Sequence, residues 1–194
     1  MNAARLLALA SLVLLGCASA PRAGGVRDID GQIQRPLDGG QDRAHVLLFV
    51  LADCPIANSY APEIQAIRLA YEPAGIRFFL VHVQPDLADE AARAHARAYG
   101  HTGPILIDRD HSLVRAADVK VTPEAAVFGR DGQLLYRGRI DDLYAEVGKR
   151  RHTAATHDLR DALAAIVAGR AVPVARTEAI GCYISDAAAP ASSR

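Results

Sequence analysis

The sequence predicts one α/β domain with a mixed central sheet and helices on both faces of that sheet. Its 194 residues are enough for one domain with a buried core and too few for two comfortable ones. Strand and helix patterns alternate through the first two thirds of the chain, as in parallel βαβ units, and a β-hairpin and a last helix follow. Parallel units joined to a hairpin require a sheet that contains both strand orientations.

The first residues of the chain have the pattern of an export signal. Arg5 supplies a positive start, and the apolar run of about ten residues after it is too short to span a bilayer. The run ends in Leu-Gly-Cys at Cys17, which resembles the bacterial lipobox, where the cysteine is lipidated. Residues 1–16 are therefore predicted to be a lipoprotein signal peptide, and residues 17–25 a lipidated cysteine with a flexible tether. An ordinary secretory signal cut near residues 18–20 is the alternative.

This leader predicts an exported bacterial lipoprotein at the periplasmic face of a membrane. A lipid anchor alone would hold it there, because no second apolar run of about twenty residues follows. The 22 basic and 22 acidic side chains cancel, and no long block of like charge occurs, so we expect no nucleic-acid surface.

The first half of the domain is predicted from apolar patterning and turn residues. Residues 26–37 alternate around an Asp-Gly turn and predict an edge ribbon. Two dense apolar runs, residues 45–51 and 76–83, have strand length and predict buried strands. Between them, residues 59–70 carry apolar side chains at helical spacing and predict a helix with Pro62 in a distorted first turn.

The second half of the domain changes from βα units to a hairpin. Its predicted elements are a helix at 87–99, a strand at 104–107, a short helix at 112–117, a hairpin of 125–128 and 134–139, and a helix at 158–168. The domain is therefore expected to span residues 26–169, followed by an extended tail, residues 170–194, that carries Cys182.

Cys54 is the residue best suited to chemistry. It lies where an apolar strand meets a helix start, and Pro55 suits the first helical position. Unpaired backbone N–H groups at a helix N-terminus favour a thiolate, and in such positions a cysteine pKa falls from about 8.5 to roughly 3.5–7.5. The negative charge of the neighbouring Asp53 disfavours the thiolate and so opposes this lowering of the pKa. The alternative is an inert cysteine kept for packing.

Several motifs together resemble the thioredoxin-like redoxin superfamily. They are the strand that ends in Ala-Asp-Cys54-Pro-Ile, the Thr122–Pro123 step before a strand, and the Asp-Gly hairpin. The strings CPIANSYAPE from Cys54, GRIDD from Gly138 and GCYI from Gly181 are similar to an exported bacterial branch of redoxin, or AhpC/TSA-type, domain proteins. The resemblance implies a thioredoxin fold and thiol chemistry that needs no cofactor. It also implies a cis peptide bond at Thr122–Pro123, in a loop that docks an extended substrate.

The chain departs from three motifs of the families that it resembles. Ala57 replaces the second cysteine of a C-x-x-C pair, so no vicinal dithiol exists. Asn58 stands where Sco-type copper chaperones carry their second cysteine, so we expect no metal site. Leu47 and Leu51 replace the Pro and Thr of peroxiredoxins, which leaves a weak thiol peroxidase as an alternative activity.

Cys182 is the remaining candidate partner of Cys54. It follows Cys54 by 128 residues in a tail that can reach back, and a bridge requires Cα atoms about 4.4–6.8 Å apart. In a catalytic version Cys54 attacks a protein disulfide or a small peroxide, and Cys182 resolves the intermediate. In the other version the pair is a permanent staple in a non-catalytic binding module. The sequence leaves both versions open.

Two further side chains are weighed as site residues. Arg139 can stabilise a thiolate if it lies near Cys54, although a surface ion pair or loop anchor is favoured. His82 lies in an apolar strand and is predicted to be a hydrogen-bonded core histidine rather than a metal ligand. The leading hypothesis is a membrane-tethered thiol-disulfide oxidoreductase that acts on protein thiols and disulfides.

Overall fold

The computed structural model describes residues 25–38 and 40–185. The predicted signal peptide, Cys17 and most of the predicted tether lie outside the described residues, as does the end of the tail. Among the described residues, no helix has the length and apolar character needed to cross a membrane.

The elements follow the predicted order, with extra short ribbons. The helices are α1 (Pro55–Ser59), α2 (Ala61–Tyr71), α3 (Asp89–Tyr99), α4 (Ser112–Ala117) and α5 (Asp158–Val167). The strands are β1 (Val26–Arg27), β2 (Ile33–Gln34), β3 (Ala44–Val50), β4 (Ile76–His82), β5 (Ile105–Ile107), β6 (Val121–Thr122), β7 (Glu124–Gly129), β8 (Leu134–Gly138), β9 (Tyr144–Glu146), β10 (Lys149–Arg150) and β11 (Cys182–Tyr183).

The central sheet has the strand order β5-β4-β3-β7-β8. Strand β3 is parallel to β4 and antiparallel to β7, so the prediction of a mixed sheet is confirmed. All seven residues of β3 are buried because it lies in the middle of the sheet with both faces covered. This central position fixes the place where the chain leaves the sheet, a few residues before Cys54.

Helices cover both faces of the sheet, as predicted. Alternate residues of β3 point to opposite faces, so Val46 and Leu48 join one apolar cluster and Leu47 and Phe49 join the other. Residues from α2, α3 and α5 pack in the first cluster, and residues from α4 pack in the second. The two clusters together form the core.

The structure corrects the prediction of a single helix at residues 59–70. Helical structure already begins at Pro55 and is interrupted at Tyr60, so two helices replace one. Pro62 lies in the first turn of α2. Proline has no N–H and its ring clashes with the preceding turn, so a continuous helix through this position is disfavoured.

His82 is buried as predicted, but the prediction that its ring is hydrogen-bonded is wrong. Among the described residues neither ring nitrogen has a hydrogen-bond partner. The ring instead contacts His95 edge-on, with 4.9 Å between the ring centroids, and His95 stacks on His101. Burial lowers the pKa of His82 to about 3 and that of His101 to about 4, and neighbouring histidines add to both shifts.

This histidine cluster predicts loss of stability in acid. An unfolded histidine has a pKa near 6.5, so His82 binds a proton below that pH in the unfolded chain. In the folded protein its ring stays neutral at the same pH, which favours unfolding. Between pH 8 and pH 5 this effect should lower the free energy of unfolding by about 2 kcal/mol for His82 alone. Urea unfolding at both pH values measures it. His82→Leu should reduce the pH dependence by that amount, and a pH dependence equal to that of the wild type would contradict the prediction.

Candidate functional site

Cys54 forms the junction between the sheet and the first helix. It caps the N-terminus of α1, and its Sγ lies 3.5 Å from the Ala57 backbone nitrogen, whose N–H points at the sulfur. Ala57 stands at the position where a C-x-x-C motif places its second cysteine, so Cys54 has a backbone donor beside it and no vicinal thiol. The side chain of Cys54 is almost fully covered, since the residue is 2% exposed.

The partner of Cys54 comes from the tail. Cys54 and Cys182 form a disulfide, with 6.2 Å between their Cα atoms. Strand β11 also pairs antiparallel with β6, in a register that sets Cys182 opposite Thr122. The covalent bond and the backbone pairing therefore hold the same segment of the tail over the site.

Thr122 and Pro123 adjoin the disulfide. The peptide bond between them is cis, and the carbonyl oxygen of Thr122 lies 3.3 Å from Sγ of Cys54. Thr122 is fully buried, and among the described residues its hydroxyl has no hydrogen-bond partner. Four of the predicted site residues thus meet in one place.

The tail reaches the site along the edge of the central sheet. The backbone N–H of Arg137 in β8 donates to the carbonyl of Ala175 at 2.9 Å, and the backbone carbonyl of Arg137 accepts from the N–H of Thr177 at 3.0 Å. The Thr177 hydroxyl also lies 2.8 Å from the hydroxyl of Tyr136. These bonds fasten the tail several residues before Cys182, so the bridge is not its sole attachment.

Arg139 does not join this group. Its guanidinium donates to the carboxylate of Asp158, at 2.8 Å from Nε, and to the hydroxyl of Thr156. Asp158 is the first residue of α5, so the pair fastens the start of that helix to the end of β8. Among the described residues no hydrogen bond joins Arg139 to Cys54, and the ion-pair interpretation favoured from the sequence describes its place.

A groove beside the disulfide is a feature that the sequence analysis missed. Its volume is about 690 Å³, and Cys182 borders it. Mostly apolar side chains form its walls, from the start of α1, the β9–β10 ribbon and the tail: Pro55, Ile56, Tyr144, Val147 and Tyr183. Tyr144 is held in place by a 2.9 Å hydrogen bond to Ser59. Gly148, whose φ is +79°, is the turn signal that could have predicted this ribbon.

A second group near the site combines acidic and imidazole side chains. Ligand atoms of Glu63, Asp141 and His157 lie within 4.8 Å of one another. Two of these groups already have partners, because Glu63 accepts from Arg160 at 2.7 Å and Asp141 accepts from Tyr60 at 2.6 Å. Both carboxylates are therefore structural links. Glu63 joins α2 to α5, and Asp141 joins the loop after β8 to the start of α2.

The fold and the site together define a thioredoxin-like protein, with a cysteine at the strand–helix junction facing a cis-proline. The Redoxin family profile matches residues 30–149, more than half of the chain, and the chain belongs to that family. No sequence among functionally curated proteins matches the chain.

Solved structures agree with this class. An uncharacterized conserved protein of Geobacillus kaustophilus is 27% identical, with a TM-score of 0.74 over 92% of this chain and 95% of its own. A hypothetical protein of Sinorhizobium meliloti is 24% identical, with a TM-score of 0.72 over 90% and 95%. A secreted disulfide oxidoreductase of Mycobacterium tuberculosis is 20% identical, with a TM-score of 0.51 over 75% and 94%. The similarity to the last two of these structures is a similarity of fold alone.

Proposed function

We propose that this chain is a thiol-disulfide oxidoreductase in which Cys54 and Cys182 form the redox-active pair. The observation that carries the proposal is the disulfide itself, joined to the residue that caps a helix and lying against the cis-proline loop. Membership of the Redoxin family and the oxidoreductase among the similar folds support thiol chemistry.

The reducing half-reaction begins on Cys182. Cys182 borders the groove, whereas Cys54 is almost fully covered, so a donor thiolate attacks Cys182 Sγ. The S–S bond breaks and Cys54 leaves as a thiolate, towards which the Ala57 N–H already points. A second donor thiol then attacks the donor sulfur of the mixed disulfide and frees Cys182. The donor dithiol loses two electrons and two protons, and the cysteine pair gains them.

The substrate half-reaction runs through Cys54. Its thiolate attacks a protein disulfide, forms a mixed disulfide with one substrate sulfur and releases the other as a thiol. Cys182 then attacks Cys54 Sγ, which restores the bridge and releases the second substrate sulfur. The substrate gains the two electrons and two protons that the pair loses.

The cellular setting is part of the same proposal. Lipidation of Cys17 would tether the domain to the periplasmic face of a membrane, and residues 18–25 would let it stand clear of the surface. Disulfide exchange suits such a compartment, because an oxidising environment lets the bridge form.

A stapled, non-catalytic binding module is the second candidate. The observation that favours it is the burial of Cys54, which leaves no direct path to its sulfur while the tail is in place. A weak thiol peroxidase has less support, since Leu51 stands three residues before Cys54, where peroxiredoxins carry a threonine hydroxyl that orients the peroxide.

Alkylation of the reduced protein tests the proposal. An ordinary thiol with a pKa near 8.5 is only a few per cent ionised at pH 7, so a stabilised thiolate reacts faster there. We expect the rate at which iodoacetamide labels Cys54 to rise less between pH 7 and pH 9.5 than the rate for Cys182, because a thiol already ionised at pH 7 gains little reactivity at higher pH. Mass spectrometry of both cysteines in one sample measures this. Arg139→Gln is the matched control and should leave the profile unchanged, because its guanidinium binds Asp158.

Two results would contradict the oxidoreductase. One is a labelling rate of Cys54 that rises with pH as steeply as that of Cys182; the other is a bridge that opens in mild reductant only when the protein unfolds. The second result would favour the stapled module.

A further inference from the structure

We propose that the tail segment Gly181–Ile184 occupies the chain's own substrate site, and that the protein accepts disulfides whose cysteine directly follows a glycine in an extended segment. This inference rests on the proposed function and names its substrate class. It starts from the position of β11, which fills the edge of β6 next to Cys54.

The bound tail has the three contacts that a substrate strand needs at this site. Its cysteine is disulfide-bonded to Cys54, as a substrate cysteine would be in a mixed disulfide. Its backbone pairs with β6 in the register Cys182 to Thr122 and Tyr183 to Val121. The N–H of Ile184 extends the pairing to the carbonyl of Lys120 at 3.0 Å. An incoming peptide can make the same contacts only after the tail has left.

The residue before the cysteine is the selective position. A Cβ atom added at Gly181 would overlap the carbonyl oxygen of Thr122 and lie 2.6 Å from its carbonyl carbon. These are backbone atoms of a fully buried residue that is paired with β11 and joined to Pro123, so they cannot swing aside as a flexible side chain would. A peptide in this register therefore needs glycine at that position.

The residues after the cysteine differ in their selectivity. Tyr183 is 84% exposed, so most side chains fit at the first position. Ile184 is partly buried and packs against the apolar cluster that contains Leu47 and Phe49, so the second position favours an apolar side chain. The predicted pattern is Gly-Cys, any residue, then an apolar residue.

The chemistry of the exchange keeps the tail close. Reduction of the bridge leaves β11 held by its backbone pairing and by the packing of Ile184, while the bonds of Ala175 and Thr177 to Arg137 still fasten the tail upstream. A substrate strand displaces β11, and the Cys54 thiolate attacks the substrate sulfur, forms one S–S bond and breaks another. The tail then returns, and Cys182 breaks the mixed disulfide and restores the bridge.

The test uses the full chain with Cys182→Ser in a Cys17→Ser background, which leaves Cys54 as its sole thiol. Two peptides span the tail sequence from Ala179 to Ser185, one with glycine and one with valine before the cysteine, each activated as a mixed disulfide with thionitrobenzoate. Release of the coloured thiol reports attack by Cys54. We expect the glycine peptide to react about tenfold faster or more, because overpacking against the Thr122 backbone costs at least about 1.4 kcal/mol.

A second variant tests whether the tail occupies the site. Adding Gly181→Val to Cys182→Ser should push β11 off β6, so that both peptides react faster and the glycine preference remains. Adding Leu69→Ala, at an exposed side chain of α2, is the control and should leave both rates unchanged.

The outcomes separate this inference from the proposed function. Equal rates for the two peptides on the folded protein would overturn the glycine selection and leave the oxidoreductase intact. Unchanged rates in the Gly181→Val variant would overturn the occupancy of the site by the tail. If neither peptide reacts with the folded protein while both react with the chain unfolded in urea, the proposed function itself fails.

Discussion

The Cys54→Ser protein should lose thiol-disulfide exchange completely, with the reduction of a protein disulfide such as that of insulin falling to the uncatalysed rate. A serine hydroxyl does not ionise near neutral pH, and it can neither attack a disulfide nor leave from one. Cys182→Ser should behave differently. It keeps the attacking sulfur and lacks the resolving one, so a mixed disulfide with substrate should accumulate.

Turnover assays and intact mass measurements distinguish the two variants. The Cys182→Ser protein should gain the mass of one substrate chain, and dithiothreitol should remove it. Cys17→Ser is the matched cysteine-to-serine control and should retain full turnover, because that residue precedes the domain. Turnover that persists in Cys54→Ser would contradict the assignment, as would a Cys182→Ser protein that turns over without an intermediate.

Reduction of the bridge should lower the free energy of unfolding by about 4–5 kcal/mol. The disulfide closes a loop with a sequence separation of 128 residues, so it restricts most of the unfolded chain. Urea unfolding of the oxidised and reduced proteins measures the difference. The Cys54→Ser, Cys182→Ser double variant should unfold at the midpoint of the reduced protein, with or without reductant. Coinciding curves for the oxidised and reduced wild type would show that the bridge does not constrain the chain.

The central part of the fold could be predicted because its signals are local. The apolar run of β3 identifies a buried strand without knowledge of its neighbours, and the residues that follow it mark a helix start at Pro55. The hairpin is predicted by Asp131-Gly132, where Gly132 adopts a φ of +78° that other residues rarely adopt. Cys54 could be singled out for the same reason, since its place depends on the two elements beside it.

The features that the sequence did not predict depend on distant contacts. The state of His82 depends on His95 and His101, which come from α3 and the loop after it, and no local pattern shows that its ring nitrogens lack partners. The partner of Arg139 is Asp158, at the start of a helix that packs beside β8. The alignment of Cys182 with Thr122 likewise depends on the path of a tail that first pairs with Arg137.

The redox equilibrium of the Cys54–Cys182 pair tests the central claim most directly. The folded protein would be equilibrated with graded ratios of reduced and oxidised glutathione, alkylated, and its modified cysteines located by mass spectrometry. A redox-active pair should open and close reversibly while the fold persists, at a potential above about −300 mV. A bridge that stays closed at every ratio until the protein unfolds would contradict the oxidoreductase and identify the disulfide as a permanent staple.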